Sequence, residues 1–158
     1  MAVKCQFDCE VDEVWALLCD PDFRVERCVA LGELSADCDV DEGDEQVTVR
    51  MHREVVRDLP SVLARIFNAK QTLDFVEKWQ RQADGWAGIL SITIKGQPVE
   101  LGAKCSLLAT PTGCEYVVAH HCKAKIPLVG GKVEKFVLAQ TDAGAVEEFN
   151  YLKRKLSG

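Results

Sequence analysis

The chain has 158 residues, of which 47% are apolar and 28% are charged, a composition typical of one globular domain with a substantial core. Its net charge of −6 argues against nucleic acid or an anionic membrane surface as a partner. The one dense basic run, Lys153 to Lys155, falls near the carboxyl end, where it complements the dipole of a terminal helix. No apolar run reaches the ~18 residues of a membrane span, and acidic residues replace the apolar core of a signal peptide. These features predict a single cytoplasmic domain over residues 1–158.

The first thirty residues predict a strand followed by two short helices. Apolar residues alternate in VKCQF (3–7), the pattern of a strand with one buried face. In VDEVWALLCD (11–20) they recur at three- and four-residue spacing, which indicates an amphipathic helix. Pro21 separates this helix from the next one, PDFRVERCVAL (21–31), because the residue before a proline is pushed out of helical geometry.

From Gly32 to Ala124 the pattern is mostly of period two, which is typical of antiparallel strands. Two strands flank an acidic hairpin, and a short helical or irregular insert follows them. Four further strands are joined by tight turns and predict a meander. The sheet then has seven strands in total. The segments after the first strand are GELSADCDV (32–40), EQVTVRMHREV (45–55), the insert LPSVLARIFNA (59–69), KQTLDFVEKWQ (70–80), WAGILSITI (86–94), VELGAKCSLLA (99–109) and CEYVVAHHCKA (114–124).

The stretch IPLVGGKVEKFVLAQ (126–140) predicts how the last strand ends and the longest helix begins. Pro127 cannot donate to a strand ladder, and Gly130-Gly131 allow a sharp corner. The helix is predicted from Lys132 to Leu156, ~37 Å long at 1.5 Å per residue, so it can span a curved sheet. Three aromatic residues on apolar helical stripes, Trp15, Phe136 and Phe149, are predicted to anchor the core.

The order of these elements resembles the helix-grip fold of the START and birch-pollen-allergen superfamily. The likeness rests on VDEVWALLCDPDF (11–23) and IPLVGGKVEKF (126–136) and extends over the whole chain. Leu59-Pro60 and GQPVELG (96–102) are similar to a branch catalogued only as a domain of unknown function. The resemblance implies an α+β fold, with a curved seven-stranded antiparallel sheet around the carboxyl-terminal helix. It also implies an internal cavity that holds an apolar small molecule.

The predicted lining of this cavity combines the inward faces of the later strands with one face of the last helix. One member of the set, His120, could orient a polar ligand group or act as a general base, or simply be a hydrogen-bonded core residue. Gln140 could mark the position of a ligand's polar group, or reach a backbone carbonyl. The predicted ligand-binding residues are Phe75, Leu90, Ile92, Tyr116, Val118, His120, Phe136, Val137 and Gln140.

No metal site or cofactor is predicted. His120 and His121 are adjacent in a strand and point to opposite faces, so they cannot easily bind one ion together. The acidic hairpin, residues 37–45, lacks the spacing of a calcium-binding loop. The eight cysteines form no CxxC pair, so we expect free thiols packed as small apolar groups; a regulatory disulfide and a metal are the alternatives. They are Cys5, Cys9, Cys19, Cys28, Cys38, Cys105, Cys114 and Cys122.

Three functions are compatible with this sequence. The first is binding of a hydrophobic small molecule, lipid-like or polyketide-like, by a carrier, sensor or sequestering protein. The second is a small enzyme of the cyclase, dehydratase or hydrolase kind, which would need a polar pair in the cavity from among His120, Tyr116 and Gln140. The third is a protein-interaction module without a ligand. The sequence indicates neither the ligand nor the oligomeric state.

Overall fold

Seven strands and four helices follow one another in the order that the sequence predicts. The computed structural model describes residues 2–158. The elements are β1 (Ala2–Phe7), α1 (Val11–Leu18), α2 (Pro21–Ala30), β2 (Ser35–Glu42), β3 (Gln46–Val56), α3 (Ser61–Ala64), β4 (Lys70–Gln82), β5 (Gly85–Ile94), β6 (Val99–Thr110), β7 (Gly113–Ala124) and α4 (Gly130–Ser157). This is an α+β helix-grip fold.

The strands form one antiparallel sheet in the order β1-β7-β6-β5-β4-β3-β2. The five strands from β3 to β7 are a meander, each paired with the next. The first two strands of the chain are the two edges of the sheet. The segment that holds α1 and α2 must therefore cross from one edge to the other.

Helices α1 and α2 make that crossing with one face of each turned inward. Val14 and Leu18 of α1 are fully buried. The side chain of Asp20 caps α2 by accepting a hydrogen bond from the backbone N–H of Asp22, at 3.0 Å. Helix α2 buries Phe23 and Cys28, and it also buries two charged side chains, Arg24 and Arg27.

Three tryptophans fasten α1 to the sheet. The ring of Trp15 stacks on that of Trp86, with centroids 4.1 Å apart and planes 11° apart. It also meets Trp79 edge-on at 5.3 Å. Aromatic pairs of this kind stabilise a fold by more than the burial of their surface area alone. Trp15 is itself half-buried, whereas Trp79 is fully buried.

Helix α4 is 28 residues long, ~42 Å at 1.5 Å per residue, and it buries Val133, Val137, Phe149 and Leu152. Of the three predicted core aromatics, only Phe149 is buried; Trp15 and Phe136 are half-buried. No helix within residues 2–158 has the length and apolar character that a membrane span needs.

The corner before α4 differs from the sequence-based expectation. Strand β7 ends at Ala124, before Pro127, and both glycines already belong to the first turn of α4. The residue with a left-handed backbone is Leu128, whose φ is 70° and whose side chain is fully exposed. Gly130 is needed for a close approach instead, since a Cβ there would lie 3.0 Å from the carbonyl oxygen of Ala124.

All eight cysteines are free thiols, as expected. Burial raises the pKa of Cys28 and Cys105 to about 12, so neither is a thiolate at neutral pH. They act as small apolar groups in the core.

We expect Phe149→Ala to lower the free energy of unfolding by ~3–5 kcal/mol, because it removes a buried aromatic ring. That ring packs against Tyr116, with centroids 4.7 Å apart. Urea denaturation followed by circular dichroism measures the change. Val146→Ala is the control, since Val146 is on the same helix but 45% exposed, and it should change the value by ~0.5 kcal/mol or less. Equal effects would show that α4 is not docked through Phe149.

Candidate functional site

A cavity of about 200 Å³ lies between the sheet and α4. Side chains from strands β3 to β7 form one wall, and α4 forms the opposite wall. The end of α2 and the segment after β3 complete it. The lining includes an apolar group (Leu73, Phe75, Leu90, Ile92, Leu101, Val118, Phe136, Val137, Phe149) and a charged group (Arg24, Arg27, Glu33, Arg53, Arg57, Glu77, Glu147, Glu148).

All nine residues predicted to bind the ligand line this cavity. Six of them come from strands: Phe75, Leu90, Ile92, Tyr116, Val118 and His120. The other three come from α4: Phe136, Val137 and Gln140. Alternation along β4, β5 and β7 places the strand residues on the same inward face. Their contact with a ligand stays a prediction.

The charged group was missed by the sequence analysis, and its best-ordered part is the pair Arg24–Glu77. The guanidinium donates to both carboxylate oxygens of Glu77, Nη1 to Oε2 at 2.7 Å and Nη2 to Oε1 at 3.0 Å. Its Nε donates to the carbonyl oxygen of Leu18 at 2.7 Å. The indole N–H of Trp79 completes the set by donating to Glu77 Oε1 at 2.8 Å.

This pair stays ionised despite its burial. Burial alone would raise the pKa of Glu77, but Arg24 and the N–H of Trp79 outweigh it and hold that pKa below its usual range. Burial alone would lower the pKa of Arg24, and the Glu77 carboxylate more than reverses this. Both charges are therefore fixed in the wall of the cavity.

A second charged set joins α2, β3 and α4 around Glu148. Arg27 Nη2 lies 3.0 Å from Glu148 Oε1, and Arg53 Nη1 lies 3.3 Å from Glu148 Oε2. Burial would raise the pKa of Glu148, but Arg53 and Arg27 hold it at about 2. Glu33 Oε2 lies 3.6 Å from Arg53 Nη1. For Glu33 the effect of burial outweighs the attraction of Arg53, so the pKa of its carboxyl is raised.

This second set leaves hydrogen-bonding capacity unused. Among residues 2–158, no protein group bonds Nε of Arg27, Nε of Arg53 or Oε1 of Glu33, although all three atoms are buried. Most buried polar atoms in proteins do have a partner, so each such group calls for an explanation. Arg53 also lies over the ring of Phe75, 4.0 Å from its centroid, at the boundary between the charged and apolar parts of the lining.

His120 is held by a carboxylate of the opposite wall. Its Nδ1 lies 2.8 Å from Oδ1 of Asp142 in α4, and its side chain is only 4% exposed. The bond orients the ring and leaves Nε2 without a protein partner among the residues described. A histidine whose proton position is fixed by a carboxylate can exchange a proton through its other nitrogen.

The strand pattern held a signal for part of the charged group. Glu77 shares the inward phase of β4 with Phe75 and Trp79, and Arg53 shares that of β3 with Met51. A charged residue in such a position is buried or faces a cavity. No group of histidine, cysteine, aspartate and glutamate side chains within residues 2–158 is arranged to hold a metal ion.

A sequence model of the family described as "Protein of unknown function (DUF2505)" matches residues 2–156. The chain belongs to the DUF2505 family. No curated protein sequence matches it.

Solved structures show that the DUF2505 chain shares its fold with several distant proteins. An aromatase/cyclase from a Streptomyces species, named Zhui, has a TM-score of 0.62 at 12% identity, covering 98% of this chain and 91% of that one. TTHA0849 from Thermus thermophilus has a TM-score of 0.61 at 13% identity, covering 98% of this chain and 94% of that one. A conserved protein from Geobacillus kaustophilus has a TM-score of 0.55 at 15% identity, covering 99% of this chain and 92% of that one. At these identities the likeness establishes the helix-grip fold alone.

We expect Glu77→Gln to lower the free energy of unfolding by ~3–5 kcal/mol, because it leaves the charge of Arg24 buried without a counterion. Denaturant unfolding measures the change. Glu100→Gln removes the same charge from the exposed pair with Lys125 and should cost less than ~1 kcal/mol. If both variants unfold at the wild-type midpoint, the Arg24–Glu77 pair does not hold the wall of the cavity together.

Proposed function

We propose that this DUF2505 protein binds a hydrophobic small molecule, lipid-like or polyketide-like, in the cavity between the sheet and α4. The observation that carries the proposal is the composition of the lining. Apolar side chains of β5, β7 and α4 form one part of it, and a compact set of charged side chains forms another. Small-molecule sites in proteins combine apolar walls with a few convergent polar groups in this way.

The fold supports the same proposal, with less detail. One distant protein of this fold is named an aromatase/cyclase. An inference from that protein to the function of the DUF2505 chain rests on fold analogy and not on shared residues. The cavity lining of this chain is therefore the stronger argument.

A thermal-shift screen of fatty acids, flavonoids and polyketide-like aromatics tests the proposal. A ligand that binds only the folded state stabilises it by RT ln(1 + [L]/Kd), ~2.7 kcal/mol at a hundredfold excess over Kd. At least one compound should give a saturable rise in melting temperature. Val137→Trp should abolish the rise, because it places an indole in the cavity; overpacking alone costs ~1–3 kcal/mol, so the variant should fold.

Val146→Trp is the matched control, since it adds the same indole to the exposed side of α4 and should keep the ligand response. A response that survives in Val137→Trp would place the ligand outside the cavity. If no compound shifts the wild type, the proposal fails and an interaction module without a ligand takes its place.

The contact between His120 and Asp142 favours a second candidate, an enzyme of the cyclase, dehydratase or hydrolase kind. His120 lines the cavity, and its free Nε2 could remove a proton from a bound substrate or return one to it. Asp142 would hold the ring in place through Nδ1. Tyr116 would remain a hydroxyl donor, because burial raises its pKa well above the usual value.

We expect the molecule that co-purifies with such an enzyme to differ between the wild type and a variant that lacks the imidazole. Native mass spectrometry of freshly purified wild type and His120→Gln compares what each carries. A dehydratase, or a cyclase whose ring closure expels water, would retain a product, and the variant a precursor heavier by one water molecule. His52→Gln is the control, since His52 is half-exposed and bonded to Asp74. The same molecule in wild type and in His120→Gln would exclude proton transfer by His120.

A further inference from the structure

Cationic groups outnumber carboxylates in the buried lining of the cavity. Arg24 and Glu77 satisfy each other through two hydrogen bonds. The remaining buried or half-buried charges are Arg27, Arg53 and Arg57 against Glu33 and Glu148. Glu147 also borders the cavity, but its side chain is exposed to solvent, where water screens it. The guanidinium groups thus exceed the carboxylates by one, and within residues 2–158 one of them has no carboxylate at ion-pair distance.

Arg57 is that guanidinium. It is half-buried and follows directly after β3, and its backbone N–H donates to the carbonyl oxygen of Ala69 at 2.7 Å, which fixes its position. Arg27 and Arg53 both pair with Glu148, and Arg53 also with Glu33; among residues 2–158 no carboxylate pairs with Arg57. A partly buried cation that no carboxylate contacts directly is a place where an anion binds favourably.

The two neighbouring arginines offer further donors. The Nε–H groups of Arg27 and Arg53 are buried and bond to no protein group within the described chain. Both residues line the cavity and are at most 3% exposed. An oxygen anion held by Arg57 could accept from these groups as well, since guanidinium groups match carboxylates in geometry.

The volume of the cavity limits the ligand. A cavity of ~150 Å³ holds one benzene molecule. The present one is about 200 Å³, below the range of pockets that hold drug-sized molecules, ~300–1,000 Å³. It therefore suits a single aromatic ring with a short side chain, or a chain of about eight carbons, better than a sterol.

From these observations we infer that the ligand is a small amphipathic carboxylic acid. Its carboxylate binds Arg57, with Arg53 and Arg27 as further donors, and its apolar body lies against Leu90, Ile92 and Phe136. The inference rests on the proposed function and adds to it the charge and size of the ligand. Arg53 over the ring of Phe75 marks where the two parts of the ligand would meet.

Two matched pairs of probes test this inference by calorimetric titration: octanoate with octanol, and phenylpropanoate with phenylpropanol. Each pair has the same apolar body and differs in the charged group. At neutral pH and low salt, at least one acid should bind wild type about tenfold more tightly than its alcohol, because charge-assisted hydrogen bonds are the stronger kind. Arg57→Gln should lose most of the preference for the acid, keeping only what the Nε–H groups of Arg27 and Arg53 supply, and Arg57→Lys should keep more of it.

Arg50→Gln is the matched control, because it removes the same charge from an exposed position of β3. It should keep the full preference for the acid. If alcohols bind wild type as tightly as acids, the inference is overturned while the proposed function stands. An undiminished preference for the acid in Arg57→Gln overturns the role of Arg57. If none of the four probes binds and the broader screen also finds no ligand, the proposed function itself fails.

Discussion

The buried pair Arg24–Glu77 is the contact on which the arrangement of the layers depends. It ties α2 to the middle of β4, and through the carbonyl of Leu18 it also fixes the end of α1. One helical turn later, Arg27 reaches Glu148 of α4. The crossing helices, the sheet and the closing helix are thus connected by charges on one side of the cavity, while apolar packing connects sheet and α4 on the other.

Such a network is costly for a protein whose only need is stability. Each charge loses its hydration on burial, and apolar residues of similar volume often pack equally well or better. The set is also incomplete, because two Nε–H groups and one carboxylate oxygen bond to no protein group in the described chain. These features are easier to understand if the charges serve recognition inside the cavity, as the proposed binding of an acid requires.

The sequence predicted the elements because their signals are local. Alternation and helical spacing can be counted within a dozen residues, so the succession of strands along the chain and the inward faces of β4, β5 and β7 followed from them. Partners far apart in the chain could not be predicted in this way. Arg24 and Glu77 are 53 positions apart, and His120 and Asp142 are 22 apart. The left-handed backbone at Leu128 was also hidden, since nothing in a leucine favours it.

The acidic hairpin is at an edge of the sheet, where an unpaired strand could recruit another chain. Strand β2 is that edge, and its exposed positions include Asp37, Asp39 and Asp41. A second copy that paired along β2 in antiparallel register would bring these carboxylates against its own. Their mutual repulsion opposes edge-to-edge pairing of two copies along β2, so the row of carboxylates guards this edge of the sheet against aggregation.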